Sequence, residues 1–397
     1  MRQADGRIPG VTANGTSIEQ ETHAVNRMKG MLQRFSNRRS FLKHGMAAAG
    51  AATAGTVLMG RGLSAFDGPP EDDRFIRDDH GPDNLTRGDV AILRLLAAAE
   101  IIETDLWQQY NELGGVDAAS SGYTTGLLQL DGDMPQYISD NTDDEISHVQ
   151  FLNASLQSKG EEPVNFDRFR TLPSSQATGA QQIGRLTNLM QLAVDTSWWT
   201  RYRSTKNPDL GARFAQAVPT LSVGQHPAIP RNNDELGDPN NVSNHVQAIA
   251  NTAGFHFGFI EQAGTSLYAT MSQRVTSPEV LKITLSIGGS EIMHFQTWHD
   301  KAGNAVPLAD GDLIFPDLQH NHHETLQANL IMPEPCEFIS KRLPRCAIIR
   351  PTGPGQIDAR GAINGFIADG LFNGHTQEFV QLVLGMAAEA DEARRER

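Results

Sequence analysis

The chain reads as an all-α protein: a four-helix bundle interrupted by a long crossover insertion and followed by a C-terminal extension, part irregular and part helical. Three observations carry that reading. Four segments space their apolar residues as helices do. Each sets a glutamate in its apolar stripe, at Glu100, Glu145, Glu261 and Glu291. Two of the four repeat the pattern Glu-x-x-His, as Glu145-Ile146-Ser147-His148 and Glu291-Ile292-Met293-His294. Residues three and four apart share a helix face, so each histidine points the way its glutamate does. Burying an ionised carboxylate is costly unless something compensates it, and a cation held between helices would do so.

The chain has 397 residues, 39% of them hydrophobic, with a mean hydropathy of −0.38. That composition suits a water-soluble protein with a sizeable core. Ser36-Asn37-Arg38-Arg39-Ser40-Phe41-Leu42-Lys43 precedes a weakly apolar run of Ala and Gly up to Gly60. Paired arginines ahead of such a run resemble a twin-arginine export signal, spanning residues 1–65 with cleavage after Leu63-Ser64-Ala65. The resemblance implies the twin-arginine export machinery as a partner and a periplasmic or extracellular address. The run is shorter than the roughly 20 residues that span a bilayer, so no membrane insertion is expected after cleavage. The first 65 residues hold nine Lys/Arg and three Asp/Glu, leaving the remainder at net −20. Such a surface repels nucleic acid and anionic lipid and attracts cations.

Residues 66–86, rich in Asp and Pro, read as an acidic linker, and 87–303 as the bundle. Thr86-Arg87-Gly88-Asp89 has the form of a capping box opening a first helix that runs to about Leu113. There Glu100 shares a face with Leu93, Leu96, Ala97 and Trp107. Glu103, one turn on, could replace it as a ligand but reads better as a solvated or supporting acid. The second helix starts near Met134-Pro135 and stops by Gly160. In it only Glu145 is in register with His148 and Leu152, and Asp143 and Asp144 read as solvated.

An insertion follows at 161–241, its centre, Ala180–Tyr202, helical by pattern. Asp195 lies there and is the rival to Glu261 as the third acid. Glu261 is preferred for its residue type and because Glu291 follows it by 30 residues, a hairpin spacing. On the third helix Glu261 shares a face with Phe257, Gly258, Gly264 and Tyr268. Tyr268 could donate to a ligand, although packing suits it better. Trp198 and Trp199 read as core or subunit-contact residues, and His226, His245 and His256 as satisfied structurally. Ser277-Pro278-Glu279 opens the fourth helix with an N-cap serine and proline at N1, and that helix ends near Gly303.

The extension at 304–397 carries His320-Asn321-His322-His323 as an exposed cluster. Cys336 and Cys346 could close a disulfide in an oxidising compartment. Two short helices are expected near Ile357–Gly370 and Thr376–Ala390. The whole extension reads as a cap or a subunit contact, which would accommodate a homo-oligomer.

Glu145 follows Glu100 by 45 residues, Glu291 follows Glu261 by 30, and 113 residues separate His148 from Glu261. Two antiparallel hairpins joined by a crossover satisfy these distances. One glutamate from each of two helices with Glu-x-x-His from the other two is the ligand inventory of a dimetal carboxylate bundle. The stretches Phe259–Tyr268 and Leu285–His294 resemble the third and fourth helices of the ferritin-like superfamily, specifically exported ferritin-like proteins related to desiccation-related proteins. The resemblance covers about 88–160 and 242–303. It implies a ferritin-like four-helix bundle binding two iron or manganese ions. Glu145 and Glu291 would bridge, His148 and His294 would serve one metal each, and Glu100 and Glu261 would flank. Oxygen and imidazole donors suit those metals. The implied chemistry is that of an oxidoreductase acting on O2, peroxide or Fe(II) in envelope stress protection, ferroxidase-like or peroxidase/catalase-like. The alternative is a non-catalytic stress or desiccation scaffold, or a metal buffer.

Overall fold

Three of the four long helices of the bundle begin where a short polar side chain holds a free backbone N–H, and the fourth, Met134–Ser158, opens on a proline instead. A computed structural model describes residues 85–203, 214–321, 331–349 and 358–396. The twin-arginine pattern and the linker up to residue 84 therefore lie outside the described residues. Helix α1, Arg87–Gly114, is opened by the foreseen box, with Asp89 N donating to Thr86 Oγ1 at 3.1 Å. Asp89 also accepts from Thr276 N and Ser277 N at 2.8 and 3.2 Å. One carboxylate thus pins the start of α1 to the turn between two later helices. A short helix α2, Gly122–Leu130, precedes α3, Met134–Ser158. Helix α2 went unforeseen because its glycines at 122 and 126 argue against a helix. Gly126 is tolerated because it packs against the helix bearing Ala250, where a Cβ would stand 3.0 Å from the Ala250 methyl.

The insertion departs from expectation. Among its described residues only Ser197–Tyr202 (α4) and Asn233–Leu236 (α5) are α-helical, with a 3-10 turn at Asp167–Phe169. Between Gln181 and Thr196 the chain is irregular, with isolated bridges at Arg185 and Leu192, and distant groups satisfy its amides. Asn188 N donates to Leu371 O, Ala193 N to Asp369 O, Val194 N to Leu221 O and Leu192 N to His226 O. Tertiary hydrogen bonds replace the i to i+4 ladder there, while Leu186, Leu189, Leu192 and Val194 are still buried.

Helices α6, Asn244–Ser272, and α7, Pro278–Ala302, form the second hairpin. Ser243 caps the first and Ser277 with Pro278 the second, as the sequence predicts for α7. The cross-helix bonds run antiparallel within each hairpin, from Ser139–Asn111 and Thr142–Trp107 to Thr265–Glu291 and Ser272–Thr284. Trp107, Phe257 and Trp298, one from each of α1, α6 and α7, stack with centroids 4.7 to 5.4 Å apart and plug the bundle beside the glutamate level. Trp198 packs against Gly258 of α6, where any Cβ would collide with its ring. Trp198 and Trp199 are both core residues.

After α7 a small antiparallel hairpin, β1 Leu308–Asp310 with β2 Leu313–Phe315, turns at Gly311 (φ +61°), a left-handed conformation that favours glycine. Helix α8, Leu318–Asn321, follows, and the side chains of the histidine cluster at 320–323 lie outside the described residues. Cys336 and Cys346 are free thiols, the first buried and the second exposed, so the expected disulfide is not formed. Helices α9, Ala359–Asp369, and α10, Gln377–Glu392, match the two expected at the C-terminus. Helix α10 buries Phe379, Val383, Ala387 and Ala390, and Ala393 just beyond it abuts Gly88 at the start of α1. The extension thus packs along the first bundle helix. No helix among the described residues is long and apolar enough to cross a membrane.

Candidate metal centre

Six side chains foreseen from helix-face arithmetic meet at the middle of the bundle. Helix α1 brings Glu100, α3 brings Glu145 and His148, α6 brings Glu261, and α7 brings Glu291 and His294. They fall into two groups of four, Glu100, Glu145, His148 and Glu291, then Glu145, Glu261, Glu291 and His294. Within each group one ligating atom per residue lies within 4.8 Å of all the others. Glu145 and Glu291 belong to both. All four glutamates are wholly buried, whereas His148 and His294 keep 8% and 9% of their surface in solvent. The histidine side is therefore the edge of the site nearest water. Asp195, the rival acid, is exposed and bonded through Oδ1 to Ser197 N and Gln216 Nε2. It has no place in either group.

His148 Nδ1 lies 3.1 Å from Glu145 Oε2, 3.3 Å from Glu100 Oε2 and 3.4 Å from Glu291 Oε1. His294 Nδ1 lies 3.1 Å from Glu145 Oε1 and 3.3 Å from Glu261 Oε2. The other nitrogen of His294, Nε2, is 3.0 Å from Asp144 Oδ2. Asp144 was expected to be solvated. Its side chain is half exposed, yet it faces His294 and turns Nδ1 toward the glutamates. Asn141, one turn before Glu145, donates from Nδ2 to both Glu145 Oε1 and Glu261 Oε1 at 2.9 Å. Its own Oδ1 accepts from Trp298 Nε1 at 2.8 Å. Tyr268 Oη donates to Glu100 Oε1, so its role exceeds packing.

Electrostatics sort the acids. Burial pushes Glu145 upward, helped by the charges of Glu100 and Glu261, to about 8. Burial and the charges of Glu145, Glu100 and Glu261 hold Glu291 well above the usual carboxylate range. Burial would raise Glu100 too, but the hydrogen bond and charge of His148 hold it below. His148 is lowered by burial yet pushed up to about 10 by its bonds to Glu100 and Glu145. His294 is likewise raised against burial, by the charge of Glu261 and the bond to Asp144. Glu103 is not solvated. It is buried, and burial with the charges of Glu145 and Glu100 raises it well above its ordinary value. The remaining histidines take other partners. His245 pairs with Asp310 at 2.6 Å and Glu235 at 3.2 Å, and His256 Nδ1 with Tyr110 Oη at 2.7 Å. His226 bridges to Leu192 through its backbone.

The residues fit a pair of divalent cations. Glu261 Oε2, both oxygens of Glu291 and His294 Nδ1 are buried without a hydrogen-bond partner. Orphaned buried acceptors are rare in folded proteins, and here they converge on one point with hard oxygen and imidazole donors. Four carboxylates would bring four negative charges, which two divalent cations balance. Gly264 makes room for this: a Cβ there would collide with Glu291 Oε2.

A family model described as a ferritin-like domain matches residues 88–303. Neither the curated proteins nor the solved structures yielded a match.

Proposed function

Since the chain belongs to the ferritin-like domain family, we propose that it is a dimetal carboxylate oxidoreductase acting on O2, peroxide or Fe(II). The observation that carries the reading is the sharing of Glu145 and Glu291 between two four-residue groups, which is what a bridged pair of metals requires. Glu100 and His148 would complete one position, Glu261 and His294 the other. Two iron or manganese ions bound there supply two-electron exchange with a small oxidant. The chain's own part is to bury the four carboxylates from water and to fix His294 through Asp144. Asn141 fixes two of the glutamates, and Tyr268 holds a proton at Glu100 Oε1. Burial and the charges of Glu100 and Glu291 hold the Tyr268 phenol well above its ordinary value, so it remains a donor at neutral pH.

The twin-arginine pattern supports export to the periplasm or beyond, and the likeness to desiccation-related proteins supports a role in envelope stress. Export in the folded state would let the metals be acquired in the cytoplasm. The test is elemental analysis of protein purified without chelator, beside a Glu145→Ala/Glu291→Ala variant, followed by peroxide-consumption and Fe(II)-oxidation assays. Iron or manganese near two per chain, lost in the variant, with turnover of either reactant, is the expected result. Bound metal without turnover would leave a metal buffer. A folded wild type that takes up neither metal would leave a scaffold.

A further inference from the structure

The two halves of the centre are related by the repeated Glu-x-x-His, but their surroundings are not equal. On α3 the residue before the glutamate is Asp144, and its carboxylate meets Nε2 of His294 at 3.0 Å. On α7 the corresponding residue is Ser290, and among the described residues no hydrogen bond is made to Nε2 of His148. A carboxylate behind an imidazole sets its orientation and strengthens it as a donor. Asn141 adds to the imbalance, since its one amide holds Glu145 Oε1 and Glu261 Oε1 and is itself held by Trp298.

The state of the donors points the same way. Both oxygens of Glu291 are bare but favour neither position, since Glu291 belongs to both groups and its Oε1 lies 3.4 Å from His148 Nδ1. Around His294, Nδ1 and Glu261 Oε2 are also buried without hydrogen-bond partners. They are close to one another but not aligned for hydrogen bonding. Around His148 the donors satisfy each other, with Nδ1 bonded to Glu100 Oε2 and Glu145 Oε2, and Tyr268 takes the other oxygen of Glu100. A cation entering there must first break those bonds. One entering beside His294 satisfies bare atoms.

We infer that the two positions fill in order: the His294–Glu261 position takes the first divalent cation and holds it more tightly, and the His148–Glu100 position takes the second and exchanges it readily. Asp144 is the positioning residue that sets the order. The inference rests on the dimetal reading above. It makes the exchangeable position the place where a substrate cation such as Fe(II) would come and go.

The test is a titration of the metal-stripped full chain with Mn(II), followed by a binding isotherm and by electron paramagnetic resonance. The first equivalent should give the signal of isolated Mn(II), and the second an exchange-coupled pair, with the first step at least tenfold tighter. Asp144→Asn, on a half-exposed side chain, should weaken the first step by about 10- to 100-fold and leave the second within about threefold. Glu100→Gln should keep the tight step and lose the weak one, and circular dichroism would confirm that both variants fold. A coupled pair appearing in proportion from the first addition would overturn the ordering. So would loss of the tight step in Glu100→Gln. A folded wild type that binds no Mn(II) would remove the dimetal reading itself, a result distinct from two equal sites.

Discussion

Gly264 on α6 stands where Glu291 of α7 reaches across, and its missing side chain is the space that carboxylate uses. Replacing a helix-interior glycine by alanine favours the helix by about 1 kcal/mol, so Gly264→Ala should stay folded and melt no lower than the parent. Its methyl would displace Glu291, a member of both four-residue groups, so metal affinity should fall at least tenfold. Thermal unfolding and metal content, measured on the same sample, separate the two effects. If stability and metal content fell together, the glycine would be a packing residue instead. The two Glu-x-x-His pairs were legible because i and i+3 positions on one helix share a face whatever the helix packs against, and Glu100 and Glu261 because each sits in an apolar helical stripe. Asn141 lies one turn before Glu145, and that register was its only signal in the sequence. Asp144 was legible as an acid but not as the partner of His294, because that contact depends on how far α3 lies from α7. Tyr268 had the right face, but whether its hydroxyl reaches Glu100 is likewise settled between helices.

Among the elements, the crossover shows most plainly where periodicity stops informing. Leu186, Leu189, Leu192 and Val194 fit a helical stripe, yet the segment is not helical because partners far along the chain claim its amides. Asp105 of α1 is the centre of that claim. Its buried carboxylate accepts from Leu186 N, Thr187 N and Thr187 Oγ1 at 2.7 to 3.0 Å and from Arg170 at 2.6 Å. Asp105→Ala leaves those donors unsatisfied against the bundle and should cost about 3–5 kcal/mol in urea unfolding. Arg170→Ala should cost clearly less, since its side chain is partly exposed and Asp105 keeps its backbone donors. Equal losses would mean that the ion pair, not the amide contacts, anchors the crossover. The long bundle helices needed no such help, because length, caps and an apolar stripe all agree within each. For α2 and α5, which are short, propensity carried too little weight against tertiary contacts, and of the helix expected over Ala180–Tyr202 only the end, α4, forms.

At the scale of the whole molecule, the centre ties stability to both pH and metal. In the protein without metal, protons do the work of the cations, and the shifts give the sign. Glu145 at about 8, with Glu291 and Glu103 also raised, keeps protons on folding that the unfolded chain releases near 4.5. His148 at about 10 keeps one that the unfolded chain releases near 6.5. Each folded group binds more protons than its unfolded counterpart, so stability falls as pH rises. The His148 contribution is full below about 6.5 and is lost as pH climbs through 10. The carboxylate penalty grows from about 4.5 to 8. Glu100, held low, acts oppositely and only in acid. Exposed carboxylates have finished titrating by about pH 5, so the excess of acidic residues contributes little slope above neutrality. The melting temperature of metal-free protein should therefore drop between pH 7 and 9. Protein loaded with Mn(II) or Fe(II) should show a much flatter profile, because the cations replace the protons. Glu145→Gln should flatten the metal-free profile as well, since a neutral amide has no proton to lose. Metal uptake at pH 7 in weak buffer should acidify the solution by at least one proton per chain. A metal-free melting temperature that rises between pH 7 and 9 would mean that the buried acids are compensated by something other than protons, and the case for cations replacing them would fail with it.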